Sequence, residues 1–264
     1  MTVAIVGGGV MGEAILGGAI DRGVLAAEDV TVVELLAERR EALAERYGVA
    51  TTAEAGDVLA SASLVLLAVK PQEFRKLTAR LRGDALLLSI MAGVRIETLA
   101  AHFGHDRIVR VMPNTPAAIN QGMSVWTATG SVDEAQRETV RGLLGAIGRE
   151  LAVDDEGKLD MATALSGSGP AYVFLFIEAL IDAGVAIGLT AEEAEAMTMQ
   201  TLAGAAAYAQ VSEFSPAELR ERVTSKGGTT AAGLQELDRG EFRELLAACV
   251  RAACERSREL GAAP

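Results

Sequence analysis

The sequence predicts an α/β chain in two parts: an N-terminal Rossmann-type, doubly wound sheet over residues 1–159, then an all-α dimerisation domain over residues 160–264. Three observations predict it. Short apolar runs alternate with helical stretches through the first half, the pattern of parallel βαβ units. The first of these runs, "VAIVG", leads directly into Gly7-x-Gly9-x-x-Gly12. Beyond Asp160 no convincing strand follows, and the remaining segments read as helices apolar nearly all round. A helix apolar on more than one face is buried on more than one face, which about 100 residues do poorly alone. The second part is therefore expected to pack against another subunit.

The elements follow in order. "VAIVG" (3–7) is a short strand, with a helix around 11–22. "DVTVVE" (29–34) is the next strand, and "LLAERREALAERYG" (35–48) a helix that ends in glycine. "LVLLAV" (64–69) is a buried strand, and "PQEFRKLTARLRG" (71–83) a helix with proline at its start. "ALLLSI" (85–90), "RIVRVM" (107–112), "SVWTA" (124–128) and "RELAV" (149–153) complete the strands. The second part reads as helices over 168–188, 190–210, 215–223 and 241–260.

Composition narrows the function. Half the residues are hydrophobic and 23% charged, which supports a sizeable core and disfavours disorder. A net charge of −12 disfavours nucleic acid as a partner, since phosphate neutralisation needs clustered Lys and Arg. The longest apolar runs, 64–69 and 85–94, are too short to span a bilayer. "MTVAIVGGG" shows no basic segment and no cleavage site, so the protein is expected in the cytoplasm. Cys249 and Cys254 share a helix at a spacing poor for a disulfide, with no histidine nearby to build a metal site.

The glycine fingerprint carries the first chemistry. Gly7, Gly8, Gly9, Val10, Met11 and Gly12 join a strand to a helix, whose first amides and positive dipole end suit a pyrophosphate. Glu34 ends the next strand, 22 residues beyond Gly12, where an acid receives a ribose 2′-hydroxyl. Its carboxylate repels a 2′-phosphate and favours NADH, while Arg39 and Arg40 could accommodate the phosphate of NADPH. Three strand ends carry unusual loops: "AVKPQ" (68–72), "IMAG" (90–93) and "VMPNTP" (111–116). One such loop is ordinary turn chemistry. Three at consecutive strand ends point to a site, because open α/β sheets bind ligands there. Ala68, Val69, Lys70, Pro71, Ile90, Met91, Ala92 and Asn114 are thus expected on the nicotinamide side of the cofactor. "TALSGSGPAYVF" (163–174) reads either as a helix start beside a packed glycine or as a loop that approaches ligand closely. His102 and His105, in "AHFGHD", lie away from every motif and are assigned to a surface turn.

"VTSKGGTT" (223–230) is a hydroxyl- and glycine-rich loop inside alanine-rich helix, and it holds one of only four lysines. With "GGGVMGEAI", "AVKPQ", "RVMPNTP", "TALSGSGPAY" and "DAGVAIGL" it occurs in an order that resembles the pyrroline-5-carboxylate reductase family over essentially the whole chain. The resemblance implies a two-domain enzyme that reduces 1-pyrroline-5-carboxylate to L-proline with NADH or NADPH, works as a homodimer and assembles into a decamer. It implies that Glu213, Ser225, Lys226, Gly227, Gly228, Thr229 and Thr230 bind substrate, with the loop supplied by the partner subunit to the substrate carboxylate. Thr230 matches the threonine that hydrogen-bonds the ring nitrogen. Two positions depart from the family pattern: Lys226 stands where proline is usual, and Val10 where a polar residue is frequent. Two rivals stand beside this family. A 3-hydroxyacid dehydrogenase would carry a catalytic lysine on helix 170–188, which has none. A non-catalytic NAD(P)H sensor would keep the glycine loop without needing residues 223–230.

Overall fold

The structure, a computed structural model, describes residues 1–262. Its strands are β1 Val3–Val6, β2 Val30–Val33, β3 Ala50–Thr52, β4 Leu64–Leu67, β5 Leu86–Ser89, β6 Ile108–Met112, β7 Gly122–Ala128 and β8 Gly148–Ala152. Its α-helices are α1 Val10–Asp21, α2 Ala37–Tyr47, α3 Gly56–Ser61, α4 Pro71–Phe74, α5 Ile96–Phe103, α6 Glu134–Gly145, α7 Lys158–Ala162, α8 Gly169–Ala186, α9 Ala191–Val211, α10 Pro216–Arg222, α11 Thr229–Arg239 and α12 Phe242–Ala262. Two compact units result: Met1–Pro170 with the end of α12 from Ala252, and Ala171–Arg251. Strands end at Ala152, so strand content and compactness divide the chain at different residues.

In the first unit the strands pair in the order β3-β2-β1-β4-β5-β6-β7-β8, all parallel except β6 with β7. Residues 113–121 are fewer than the roughly dozen a parallel crossover needs, so β7 turns back beside β6. β3, three residues at the edge, is too short to announce itself in the sequence.

The central strands are continuous apolar runs because the sheet has a core on each face. Val3, Ile5, Leu64, Leu66, Leu86 and Leu88 belong to one core; Ala4, Val6, Val65, Leu67 and Leu87, one residue out of step, belong to the other. That is the two-residue alternation of a strand. α1, α2 and α6 close the first core with Leu16, Leu43 and Leu144; α3, α4 and α5 close the second with Leu59, Phe74 and Leu99. The end of α12 is fastened by Ser257, whose hydroxyl donates to buried Asp160 at 2.7 Å.

Two expectations are corrected. The helix expected over 71–83 stops at Phe74. Phe74, Leu77 and Leu81 recur at helical spacing, but they reach the second core along an irregular path. His105 is not at the surface: it is buried, with Nε2 2.8 Å from the Ala85 carbonyl oxygen. His102 lies in α5, edge-on to Phe74 and Phe103, with Nε2 2.8 Å from the Leu77 oxygen. The apolar side of this segment packs on the second core, which draws both rings onto backbone carbonyls.

The second unit has almost no interior. α9 and α10 start on capping boxes, Thr190 with Glu193 and Ser215 with Glu218, so local rules are well satisfied. Yet only Ala194 and Thr198 of Ala171–Arg251 are buried. Phe174 is 55% exposed, Leu175 66% and Leu245 65%. Apolar surface on this scale marks an interaction face. Light scattering is expected to show a dimer or a multiple of it; a clean 27.4 kDa monomer at micromolar concentration would contradict this. Length and composition alone would let the helical run Lys158–Ala186 cross a membrane, contrary to the expectation from uninterrupted apolar runs. The difference arises because α7 and α8 are joined through a π turn, Thr163–Gly167, rather than separated by a loop.

Candidate active site

The glycine fingerprint is a backbone-to-backbone contact. Gly7 turns the chain after β1 at φ +101°, and a Cβ there would lie 2.7 Å from the Ala68 oxygen. A Cβ on Gly12 would lie 2.1 Å from the Gly7 oxygen. Only glycine lets α1 start this close to β1 and β4. Gly9, the residue before α1, has no side chain over the helix end, and nothing lies within 4 Å of where its Cβ would be. The first amides of α1 therefore face open space at the positive end of the helix. That donor set and that clearance fit a pyrophosphate.

Glu34, just past β2, is tied to this loop. Its Oε2 accepts the Gly8 amide at 2.9 Å and its Oε1 the Leu36 amide at 3.0 Å. Arg39 Nε donates to the Gly8 carbonyl at 2.7 Å, and Arg39 also pairs with Glu13. Arg40 Nη1 donates to the Glu34 and Leu35 carbonyls, each at 2.8 Å. Burial pushes the Glu13 carboxyl up, but hydrogen bonds and charges from Arg39, Tyr47 and Arg46 outweigh it and hold Glu13 below the usual carboxylate range. Burial, then the Glu13 charge, pushes the Tyr47 phenol up.

The ends of β1, β4, β5 and β6 open on one cleft of about 450 Å³. Eleven residues expected from the sequence line it: Gly9, Val10, Met11, Ala68, Val69, Lys70, Pro71, Ile90, Met91, Ala92 and Asn114. Gly7, Gly8, Gly12 and Glu34, also expected from the sequence, do not line it; Gly7 and Gly12 form the tight turn before α1, and Gly8 is hydrogen-bonded to Glu34. Met112, Pro113, Thr115 and Gly167 also line it. The first three belong to the 111–116 loop, whose pattern pointed here; Gly167 belongs to the 163–174 segment.

That segment is helical, not a loop. Pro170 has no N–H, so the Ser166 carbonyl four residues earlier loses its helical donor. The chain answers with a π turn in which the Ser168 amide donates to the Thr163 oxygen at 2.7 Å. Asn114 Nδ2 then donates to the stranded Ser166 oxygen at 3.0 Å, while its Oδ1 accepts the Met123 amide at 2.8 Å. Asn114 thus lines the cleft while its carboxamide brings the 111–116 loop and the Gly167 turn together.

In the second unit, the Gly228 amide donates to the Ser225 oxygen at 3.1 Å and closes a turn over Lys226 and Gly227. Gly227 is left-handed at φ +73°. A left-handed glycine at the third position is the type II pattern, in which proline is favoured at the second. Lys226 occupies that proline position. A Cβ on Gly228 would lie 2.4 Å from Ser225 Oγ, and Gly228 leads α11 with no side chain over the helix end. Thr229 and Thr230 start α11, exposed, beside exposed Ser225 and Lys226. Backbone amides, hydroxyls and an ammonium group here suit a carboxylate. Glu213 lies exposed between α9 and α10 and, among the described residues, makes no hydrogen bond to this loop.

Residues 156–260 match the family described as pyrroline-5-carboxylate reductase dimerisation, and residues 2–93 match the family described as NADP oxidoreductase coenzyme F420-dependent. The pyrroline-5-carboxylate reductase of Pisum sativum is 42% identical over 263 residues, covering 98% of this chain and 96% of that protein. The pyrroline-5-carboxylate reductase structure from Coxiella burnetii superposes with a TM-score of 0.90 at 35% identity over 99% of both chains. The Plasmodium falciparum pyrroline carboxylate reductase, solved with NADP bound, superposes at 0.86 with 28% identity, over 99% of this chain and 98% of that one.

Proposed function

The chain belongs to the pyrroline-5-carboxylate reductase family, and on that premise we propose that it reduces 1-pyrroline-5-carboxylate to L-proline with NADH or NADPH, the last step of proline biosynthesis. The observation that carries this is the cleft, where loops after four parallel strands meet an unobstructed helix N-terminus. The full-length similarity supports the substrate.

The cofactor, when bound, supplies the hydride. Gly7–Gly12 and the first amides of α1 hold its pyrophosphate, and Glu34 faces its ribose. Ala68–Pro71, Ile90–Ala92 and Asn114 flank the nicotinamide side. The turn Ser225–Gly228 and the start of α11 hold the substrate carboxylate, and Thr230 hydrogen-bonds the ring nitrogen. Lys226 adds positive charge close to that carboxylate. A protonated C=N bond accepts hydride readily, so the side chains orient and neutralise rather than exchange protons. Among the described residues no group of His, Cys, Asp and Glu is arranged for a metal.

The loop comes from the partner subunit of a homodimer, and dimers assemble into a decamer; the bare apolar helices of Ala171–Arg251 support the first of these steps. A cytoplasmic location accords with the two free thiols, Cys249 and Cys254. Helix α8 carries no lysine, which disfavours 3-hydroxyacid dehydrogenase chemistry. The purified protein is expected to oxidise NADH or NADPH only when 1-pyrroline-5-carboxylate is present. A folded oligomer with no turnover on either cofactor would overturn the proposal.

A further inference from the structure

The Gly8 peptide is gripped from both sides, its N–H by Glu34 and its carbonyl by Arg39. The outer arm of Arg39 does not reach toward solvent at the end of β2. It is ion-paired with Glu13, on the first turn of α1. Glu13 is held in turn by Arg46 at 3.0 Å and by the Tyr47 hydroxyl at 3.1 Å, and its side chain is only 17% exposed. Arg39 stands five residues beyond Glu34, where a Rossmann-type sheet receives the adenosine ribose and where an arginine ordinarily accommodates a 2′-phosphate.

We propose that Glu13 is a specificity-determining positioning residue: by fastening Arg39 to the Gly8 carbonyl, it withholds that guanidinium from a 2′-phosphate and biases the site toward NADH. This rests on the cleft being the NAD(P)H site. To recruit Arg39, NADPH has to displace a carboxylate from a part-buried ion pair. NADH has no 2′-phosphate and leaves the pair intact. Arg40 offers little substitute, since its Nη1 is already bonded to two carbonyls.

The test measures direct binding of NADH and NADPH by nucleotide fluorescence, on the full-length oligomer, beside kcat/KM for each. Glu13→Gln keeps the side-chain shape and removes the charge. It is expected to raise the NADPH-to-NADH affinity ratio about tenfold, the size of one charge-assisted hydrogen bond. Arg39→Gln alone is expected to weaken both nucleotides alike and leave the ratio unchanged. In the Arg39→Gln background, Glu13→Gln is expected to lose its effect on the ratio. Equal weakening of both nucleotides by Glu13→Gln, or a ratio gain that survives without Arg39, would overturn the proposal. Should Glu13→Gln fail to fold, Arg39→Gln still decides, because a selective loss of NADPH would show that Arg39 already serves the phosphate. A native chain that binds neither nucleotide would overturn the cleft assignment, and this inference with it.

Discussion

Gly12→Ala is expected to weaken NAD(P)H binding about a hundredfold and to lower thermal stability as well. The new Cβ would sit 2.1 Å from the Gly7 oxygen, and that neighbour is backbone rather than a side chain that can swing away. Relief requires the start of α1 to move by roughly 1 Å from β1, and a 1 Å misplacement of a binding group costs on the order of a hundredfold. Overpacking also costs the fold about 1–3 kcal/mol. Gly9→Ala separates the two effects. Gly9 has an ordinary φ of −70°, and nothing lies within 4 Å of its Cβ direction, so the protein accepts the methyl group. Melting is expected to be unchanged while nucleotide affinity falls, because the methyl group occupies the space left for the pyrophosphate. Isothermal titration with NADH and NADPH, beside melting curves, checks both. Undiminished binding by Gly12→Ala would remove the cradle from the account.

Thr230→Ala is expected to lower kcat/KM for 1-pyrroline-5-carboxylate ten- to a hundredfold. Thr230 lies in the first turn of α11, exposed, and among the described residues its hydroxyl has no partner. Its removal therefore breaks no internal hydrogen bond, and alanine favours the helix. In the proposed substrate site, what is lost is a hydrogen bond to a charged ring nitrogen, worth about 1.5–3 kcal/mol in the transition state. NAD(P)H affinity is expected to hold, since the proposed phosphate cradle is the Gly7–Gly12 loop. Steady-state kinetics with varied substrate, together with proline inhibition, checks this. Normal kcat/KM and normal inhibition in Thr230→Ala would defeat the loop assignment.

The sheet and the cradle were legible because local rules and tertiary need coincide there. Apolar runs such as Leu64–Leu67 must be buried on both faces, and Gly7 and Gly12 answer backbone contacts that no other residue permits. The strand-end loops were legible because ligands bind where parallel strands end, and eight of their expected residues line one cleft with Gly9, Val10 and Met11. What stayed hidden depends on partners far apart in the chain. The π turn at Thr163–Gly167 looks like a loop because Pro170 and its glycines are loop residues; its stability comes in part from Asn114, 52 residues before Ser166. His105 looks like part of a polar turn until the Ala85 carbonyl, 20 residues away, claims its ring. The Glu13–Arg39 pair spans 26 residues and leaves no periodic trace.

The central claim is hydride transfer from NAD(P)H to the carbon of the substrate's C=N bond. Its most direct measurement is isotopic: the native protein turns over 1-pyrroline-5-carboxylate with a reduced cofactor deuterated at its transferable position, and the product is analysed by mass spectrometry. L-proline carrying one deuterium on the ring carbon next to nitrogen is expected, formed in equal amount to the cofactor oxidised. Cofactor oxidation without labelled proline, or no proline from a folded oligomer that binds the nucleotide, would contradict it.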